Sequence, residues 1–247
     1  MPRDWDAAAY DRLPIPMTGW GAKVVDRLPL AGDETVLDAG CGTGRVTELL
    51  LRRLPRGHVI ALDGSASMIE AARERLGGER VTYIVADLLD PLPVPEPVDA
   101  ILSTATFHWI LDHDRLFRRL ADVARPEGRL EAQCGGAGNV SSVVAILEEL
   151  GVHADWGKVF ATPEETRARL EAAGFEDVHC WLHEEPAEVP PGDLEDYLRT
   201  VCLGGVIEGM DDDERASVVR EVAARMRRPV LDYVRLDISA RRGPDVR

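Results

Sequence analysis

A glycine-rich turn between a predicted strand and a predicted helix constrains this chain more than any other feature. The short apolar segment 35–39 leads into the run Asp38 to Gly44, which reads DAGCGTG. A helix is predicted from Arg45 to Leu54, where apolar residues recur at helical spacing. Glycines at alternate positions let the backbone turn tightly and leave no side chain in the way of a ligand. The turn therefore predicts a site for a nucleotide-like ligand.

The spacing of the glycines distinguishes between two kinds of nucleotide site. A dinucleotide fingerprint, G-x-G-x-x-G, would have its third glycine at position 45, where this chain has Arg45. The glycines are instead Gly40, Gly42 and Gly44. An NAD-dependent oxidoreductase is therefore the weaker interpretation. Asp38, just before the glycines, favours a ligand with a cationic portion over a pyrophosphate.

Two further acidic residues follow predicted strands at the same edge of the sheet. Asp63 ends the second strand, where doubly wound folds place an acid that accepts hydrogen bonds from ribose hydroxyls. Asp87 ends the third strand, where a carboxylate could accept a hydrogen bond from an adenine amino group. Each acid alone could be an ordinary turn or helix-start residue. Together with Asp38 they predict a ligand site at the carboxyl edge of the sheet.

Strands alternate with helices along most of the chain. The predicted strands are residues 35–39, 58–63, 81–86, 98–104, 128–134, 175–183 and 233–240. Helices are expected at 140–150 and after the N-cap residues Ser65, Asp112 or Asp114, and Thr162. The last strand alternates between polar and apolar residues, so we expect an antiparallel edge strand with one exposed face.

This order predicts an α/β fold. The expected architecture is a doubly wound, seven-stranded, mostly parallel sheet with an antiparallel last strand and a helical insertion between strands six and seven.

The glycine turn and its three acids resemble the class I S-adenosylmethionine-dependent methyltransferases, over about residues 30 to 183 and the last strand. The resemblance implies S-adenosylmethionine as the cofactor. The residues that it implies for cofactor binding are Asp38, Gly40, Cys41, Gly42, Gly44, Asp63, Gly64, Met68, Ala86, Asp87, Leu88 and Thr104.

Within that set the resemblance implies separate roles. Asp38, with the turn backbone, would hold the methionine end of the cofactor, and Asp63 would hold the ribose. Met68 would cover the adenine face, while Asp87 and Leu88 would meet the adenine edge. Met68 also lies on the core stripe of its predicted helix, so packing alone could account for it.

An aromatic loop, residues 104–113, follows the fourth predicted strand at the same edge. His108 could be a general base for a hydroxyl group or a hydrogen-bond donor to a carboxylate. Trp109 could supply an indole N–H or an apolar wall. The alternative is that Phe107 and Trp109 pack beneath the loop and His108 caps a turn.

The chain also resembles trans-aconitate methyltransferases and their relatives. The likeness rests on Trp5 with Tyr10, the segment from Trp109 to Phe117, Gln133, and the arginines that follow Ala240. It implies a small carboxylic acid as acceptor and a methyl ester as product. By this likeness the catalytic residues are His108, Trp109 and Tyr10: Trp109, together with His108, would bind the acceptor, and Tyr10 would lie over the methyl group.

Two departures from the family pattern bear on the acceptor. Thr43 stands where the loop usually has proline, and the residues after Gln133 lack the expected proline and acid. The leading hypothesis is O-methylation of a small-molecule carboxylate. The open alternatives are a hydroxyl, phenol, nitrogen or carbon acceptor of a natural product, with His108 as base, and a non-catalytic cofactor-binding regulator or partner protein.

The length of 247 residues predicts a single domain, 1–247. Within it we expect residues 1–30 to form an N-terminal helical lid. The insertion, 186–228, is expected to hold two helices, around 194–203 and 211–228, and to act as a cap on the acceptor side.

Charge and cysteine content limit the partners. Lys+Arg 29 against Asp+Glu 44 gives a formal net charge of -15, so neither nucleic acid nor a membrane is expected as a partner. Much of the acidity falls in residues 184–214, so it does not exclude an anionic acceptor. Four scattered cysteines, no zinc spacing and no apolar leader predict a reduced, cytoplasmic protein without a metal, whose oligomeric state is left open.

Overall fold

The structure is a computed structural model that describes residues 5–13, 16–152 and 157–244, with the backbone alone for residues 8–10. Its strands are β1 Thr35–Ala39, β2 His58–Asp63, β3 Val81–Val85, β4 Val98–Thr104, β5 Ala124–Gly135, β6 Phe175–Glu184, β7 Ala187–Glu188, β8 Val230–Leu231 and β9 Val234–Arg242. Its helices are α1 Ala7–Arg12, α2 Met17–Arg27, α3 Arg45–Arg53, α4 Ala66–Leu76, α5 His113–Val123, α6 Ser141–Glu149, α7 Pro163–Ala172, α8 Leu194–Tyr197 and α9 Asp212–Arg225.

Seven strands form one sheet in the order β3-β2-β1-β4-β5-β9-β6, and β7 pairs with β8 separately. Strands β1 to β5 run parallel, whereas β9 is antiparallel to both β5 and β6. The chain winds outward from β1 to β3 and then returns to place β4 beside β1. Ligands of such sheets bind in the crevice at the carboxyl ends of the strands, where the winding reverses. The predicted fold class is confirmed.

Local signals start the helices at the expected residues. The Ser65 side chain caps α4 by accepting from the Met68 backbone N–H, and Asp112 caps α5. Thr162 and Glu165 form a capping box at α7. Because these contacts need only neighbouring residues, the sequence pattern is sufficient to predict them.

The expectation that the last strand lies at the sheet edge is wrong. β9 lies between β5 and β6, and its polar residues Arg235 and Asp237 are 2% and 1% exposed. Their face is covered by α2, from which Arg27 donates to the Asp237 carboxylate at 2.6 Å. Alternation of polar and apolar residues here reflects a buried polar layer and not a solvent-exposed face.

The insertion builds a second hydrophobic core beside the sheet. A π-helical turn, Leu198–Cys202, continues α8, and α9 follows it. Buried residues of the π-helical turn and of α9 pack with Val143 and Leu147 of α6 and with Trp20 of α2. None of the helices in the described ranges is long and apolar enough to cross a bilayer.

Candidate functional site

A cavity of about 480 Å³ opens at the carboxyl ends of β1, β2 and β4. Most of the residues singled out from the sequence line it: Gly40, Cys41, Gly42, Asp63, Gly64, Met68, Ala86, Asp87, Leu88, Thr104, His108 and Trp109. Asp38 and Gly44 lie outside this lining. The side chain of Tyr10 falls outside the described part of the structure.

The glycine turn forms one wall of the cavity. Gly40 donates its backbone N–H to the Leu62 carbonyl at 2.7 Å, which fixes the turn to the end of β2. Gly40 has a positive φ of 84°, and a Cβ there would lie 2.2 Å from the Thr106 Oγ1 atom. At Gly42, by contrast, a Cβ would meet nothing within 4 Å, so the turn leaves open space at this point. A cofactor can therefore approach the backbone there.

Asp63 stands beside the turn with both carboxylate oxygens in use. Its Oδ2 accepts from Gly42 N–H and its Oδ1 from Ser65 N–H, each at 2.9 Å. Burial raises the pKa of Asp63, while these hydrogen bonds counteract the shift. An ionised carboxylate has about four acceptor sites, so further hydrogen bonds from a ligand remain possible.

The residues that the family resemblance assigns to adenine lie along the next part of the wall. Met68 is 4% exposed and lies in the first turn of α4, close behind its N-cap. The Asp87 Oδ1 atom accepts from the Leu89 backbone N–H at 2.9 Å, which holds the loop after β3. Leu88 is buried in the main core and also lines the cavity.

Asp38 lies beneath the turn and is 1% exposed. Its Oδ2 accepts from the Thr47 hydroxyl at 2.7 Å, whereas Oδ1 has no hydrogen-bond partner among the described residues. Burial raises its pKa to about 7, and the nearby charge of Asp63 adds to the shift.

This pKa predicts a pH-dependent stability. The folded-state value of about 7 exceeds the unfolded value of about 3.9, so the folded protein holds the Asp38 proton more tightly. The stability that this tighter proton binding contributes is lost as pH rises from about 4 to about 7. We expect Asp38→Asn to raise the Tm of the ligand-free protein by roughly 5 to 10 °C at pH 8. At pH 4.5 the gain should be much smaller, as thermal unfolding would show; equal gains at both pH values would contradict the shifted pKa.

The N-terminal segment crosses the same side of the molecule. The Oδ1 atom of Asp11, in α1, accepts from the Thr43 hydroxyl at 2.7 Å and from Arg45 Nε at 2.9 Å. Its Oδ2 atom accepts from Arg75 Nη2 at 2.6 Å. Thr43, where the family resemblance expects proline, thus fastens α1 to the glycine turn. Farther back, the Trp5 backbone N–H donates to the Ser65 hydroxyl at 3.3 Å.

The aromatic loop lies beside the glycine turn, where the Thr106 hydroxyl donates to the Gly40 carbonyl at 3.2 Å. Its 3-10 turn, Phe107–Trp109, follows Ala105, which has a positive φ of 56°. The ring of Trp109 meets the Trp5 ring edge-on at a centroid distance of 4.9 Å. On its face lies the Lys158 ammonium, 4.1 Å from the centroid, which also donates to the Cys202 carbonyl of the insertion at 2.8 Å. Three separate parts of the chain therefore meet at this loop.

His108 is 8% exposed and in contact with the end of β5. Its Nδ1 accepts the Gly135 backbone N–H at 3.3 Å, so the neutral ring carries its proton on Nε2. Burial, followed by the positive charges of Arg235 and Lys158, lowers the pKa of His108 well below its usual value. The geometry favours His108 as a donor over His108 as a base.

The cavity wall also contains a cation that the sequence analysis did not identify. Arg235 of β9 is buried with its guanidinium carbon 4.6 Å from the centre of the Trp20 ring. Its Nε donates to Gln133 Oε1 at 3.4 Å. Among the described residues no carboxylate lies within 4.0 Å of the Arg235 guanidinium. Burial lowers the pKa of Arg235. The alternating pattern of β9 could have indicated Arg235, but an edge strand would have its polar face exposed to solvent, and this face is buried.

Asn139 completes the donors near Gly135 and was also missed. Its Oδ1 accepts the Val234 backbone N–H at 3.0 Å, which leaves the amide nitrogen as its donor group. That nitrogen is 2.9 Å from where a Cβ at Gly135 would lie. In the described ranges no three His, Cys, Asp or Glu side chains form a metal-binding group.

A family model described as a methyltransferase domain matches residues 36–128. A trans-aconitate 2-methyltransferase of Rhodopseudomonas palustris is 32% identical over 237 residues, covering 94% of this chain and 84% of that protein. The Acidovorax ebreus enzyme of the same name is 34% identical over 167 residues, which are 68% of this chain. The match spans 63% of the length of that enzyme.

Among solved structures, the YcgJ protein of Bacillus subtilis superposes with a TM-score of 0.66 at 17% identity, over 92% of this chain and 99% of that one. At that identity the likeness shows the fold alone. The relatives of higher identity show the family. The chain belongs to the S-adenosylmethionine-dependent methyltransferases of class I, with S-adenosylmethionine as its cofactor, and its relatives include trans-aconitate 2-methyltransferases.

Proposed function

We propose that the protein transfers a methyl group from S-adenosylmethionine to a carboxylate oxygen of a small molecule. The observation that carries this proposal is Arg235, a buried cation in the cavity wall without a carboxylate partner among the described residues. Taking an unpaired charge out of water is costly, so such groups are normally paired. An anionic acceptor would supply the missing partner, and a guanidinium matches a carboxylate with two parallel hydrogen bonds.

Two neutral donors support the same acceptor. The Nε2–H of His108 and the amide group of Asn139 both belong to residues that contact Gly135, and Arg235 is the register partner of Gly135 on β9. Both side chains line the cavity. A carboxylate accepts hydrogen bonds and donates none, so the donors of Arg235, His108 and Asn139 suit it.

The residues of the cofactor half fit S-adenosylmethionine. Gly42 opens the wall for the cofactor, Asp63 offers acceptor oxygens for ribose hydroxyls, and Met68 offers an apolar face to adenine. When bound, the cofactor supplies an activated methyl group, which the carboxylate oxygen takes to give a methyl ester and S-adenosylhomocysteine. The acceptor carboxylate is already ionised near pH 7, so the protein needs to orient it and exclude water, and needs no base.

The lid and the cap remain part of this proposal. Asp11 fastens α1 to the glycine turn and Trp5 contacts Trp109, so residues 1–30 would cover the cofactor. The insertion, 186–228, would cap the acceptor, since Val201 and Cys202 line the cavity. The relatives are trans-aconitate 2-methyltransferases, and trans-aconitate is a carboxylate, which supports the same class of acceptor.

A panel of acceptors tests the proposal. Purified protein is incubated with S-adenosylmethionine and, in turn, trans-aconitate, octanoate, benzoate, the neutral amides of these acids, a phenol and a primary amine. We expect release of S-adenosylhomocysteine with at least one carboxylate and with none of the matched amides. Turnover confined to the phenol or amine would reject the carboxylate proposal. Cofactor binding without any turnover would favour a non-catalytic protein.

A further inference from the structure

A chain of buried polar side chains connects Arg235 to α2. Arg235 Nε donates to Gln133 Oε1 at 3.4 Å, and Gln133 Nε2 donates to Asp237 Oδ1 at 3.1 Å. Gln133 is 3% exposed and lies on β5, opposite Asp237 of β9. The glutamine amide therefore stands between a buried cation and a buried anion that would otherwise attract each other.

The orientation of the amide follows from its two neighbours. A carboxylate only accepts hydrogen bonds, so the NH₂ group of Gln133 must face Asp237. The carbonyl oxygen is then turned toward Arg235, whose guanidinium only donates. Reversing the amide would set two acceptors together and two donors together, so a single orientation is stable.

The charge of Asp237 is balanced from other directions. Arg27 Nη1 donates to Asp237 Oδ1 at 2.6 Å, and its Nε donates to Glu131 Oε2 at 2.7 Å. His183 Nδ1 lies 2.9 Å from Asp237 Oδ2. Asp237 thus has a cationic partner in Arg27 and is not required to pair with Arg235.

We infer that Gln133 is a positioning residue of the acceptor site, which holds the Arg235 guanidinium through Nε and separates it from Asp237, so that its Nη groups serve the carboxylate of the acceptor. This inference rests on the proposed function. The Trp20 ring, against one face of the guanidinium, limits its movement in the other direction.

The variants Gln133→Glu and Gln133→Met test this role. Glutamate would place a carboxylate beside Arg235 and neutralise it, whereas methionine keeps the volume and removes both hydrogen bonds. For the panel carboxylate with the highest kcat/KM, we expect KM to rise about 30-fold in Gln133→Glu and about 5-fold in Gln133→Met. The kcat and the calorimetric Kd for S-adenosylhomocysteine should stay within about 3-fold of wild type.

A double variant distinguishes positioning from a general structural effect. In an Arg235→Met background, Gln133→Glu should raise KM no further, because the group through which it acts is gone. Ser239→Ala is the matched control. The Ser239 hydroxyl donates to Glu131 in the same buried layer without contacting Arg235, so the KM of this variant should equal that of wild type.

Each outcome decides between the two proposals. If Arg235→Met raises KM but both Gln133 variants leave it unchanged, the positioning role is overturned and the proposed function stands. If Gln133→Glu raises KM equally in the Arg235→Met background, Gln133 acts independently of Arg235 and the inference is again overturned. An unchanged KM in Arg235→Met would remove the acceptor site itself. Should Gln133→Glu fail to bind S-adenosylhomocysteine, Gln133→Met carries the same comparison.

Discussion

Replacing Asp63 by alanine is expected to weaken the binding of S-adenosylmethionine by about 100-fold or more. The structure places this carboxylate in the cavity wall beside Gly42, where it would accept hydrogen bonds from two ribose hydroxyls. Hydrogen bonds to a charged group are worth about 1.5 to 3 kcal/mol each, and about 2.7 kcal/mol corresponds to 100-fold in affinity. Isothermal titration calorimetry with S-adenosylmethionine measures the change directly.

Two further variants distinguish a loss of cofactor binding from a loss of folding. Asp63→Ala also removes the acceptor for the N–H groups of Gly42 and Ser65, so its Tm should fall. Asp63→Asn keeps one carbonyl oxygen and is expected to lose only about 10-fold in affinity. Asp90→Ala, an exposed acid paired with Arg115 outside the cavity, controls for the change in net charge and should bind as wild type. An Asp63→Ala protein that folds and binds within 3-fold of wild type would refute the ribose assignment.

Replacing Arg235 by methionine is expected to raise KM for a carboxylate acceptor by about 100-fold. Truncating one partner of a buried, hydrogen-bonded charge pair typically costs about 2 to 5 kcal/mol, and 100-fold corresponds to about 2.7 kcal/mol. The Kd for S-adenosylhomocysteine should change by less than about 2-fold, since Arg235 lies on β9, beyond the glycine turn and the acids of β2 and β3. Steady-state kinetics and calorimetry give the two quantities.

The same substitution should leave the ligand-free protein at least as stable as wild type. Arg235 is a desolvated charge with no carboxylate within pairing distance in the described ranges, and methionine of similar length removes that desolvation cost. A functional residue that lowers stability is common at binding sites. Arg241→Met is the control: this arginine of β9 pairs with Glu127, Glu176 and Asp177 outside the cavity, so its loss should not alter KM. Equal KM values for wild type and Arg235→Met would contradict the acceptor assignment.

Local patterns were sufficient for most of the parallel sheet. The bounds of β1, β2 and β4 agree with prediction, because apolar runs ending in turns depend on neighbouring residues only. β5 starts at Ala124 and not at Gly128, since Ala124 pairs with Val98 across an irregular step in the ladder. The intervening Glu127 has a φ of 68°, and the sequence Pro-Glu-Gly there resembles a turn.

The antiparallel part of the sheet was harder to predict. Its strand order depends on which partners cover the polar face of β9. Arg27, 210 positions away in the chain, and His183 of β6 meet Asp237 there. No local spacing encodes that meeting, so alternation alone led to an exposed edge.

The sequence by itself was sufficient to predict the cavity wall that we assign to the cofactor. The glycine turn, Asp63 and Asp87 each sit at the end of a predicted strand, and parallel strands bring their carboxyl ends to one edge whatever the rest of the chain does. Only the tertiary structure decided the proposed acceptor site, where Trp20, Asn139 and Arg235 come together from distant segments. The physical reason is that the interactions of a buried charge depend on the groups around it, and long-range packing sets the groups around Arg235.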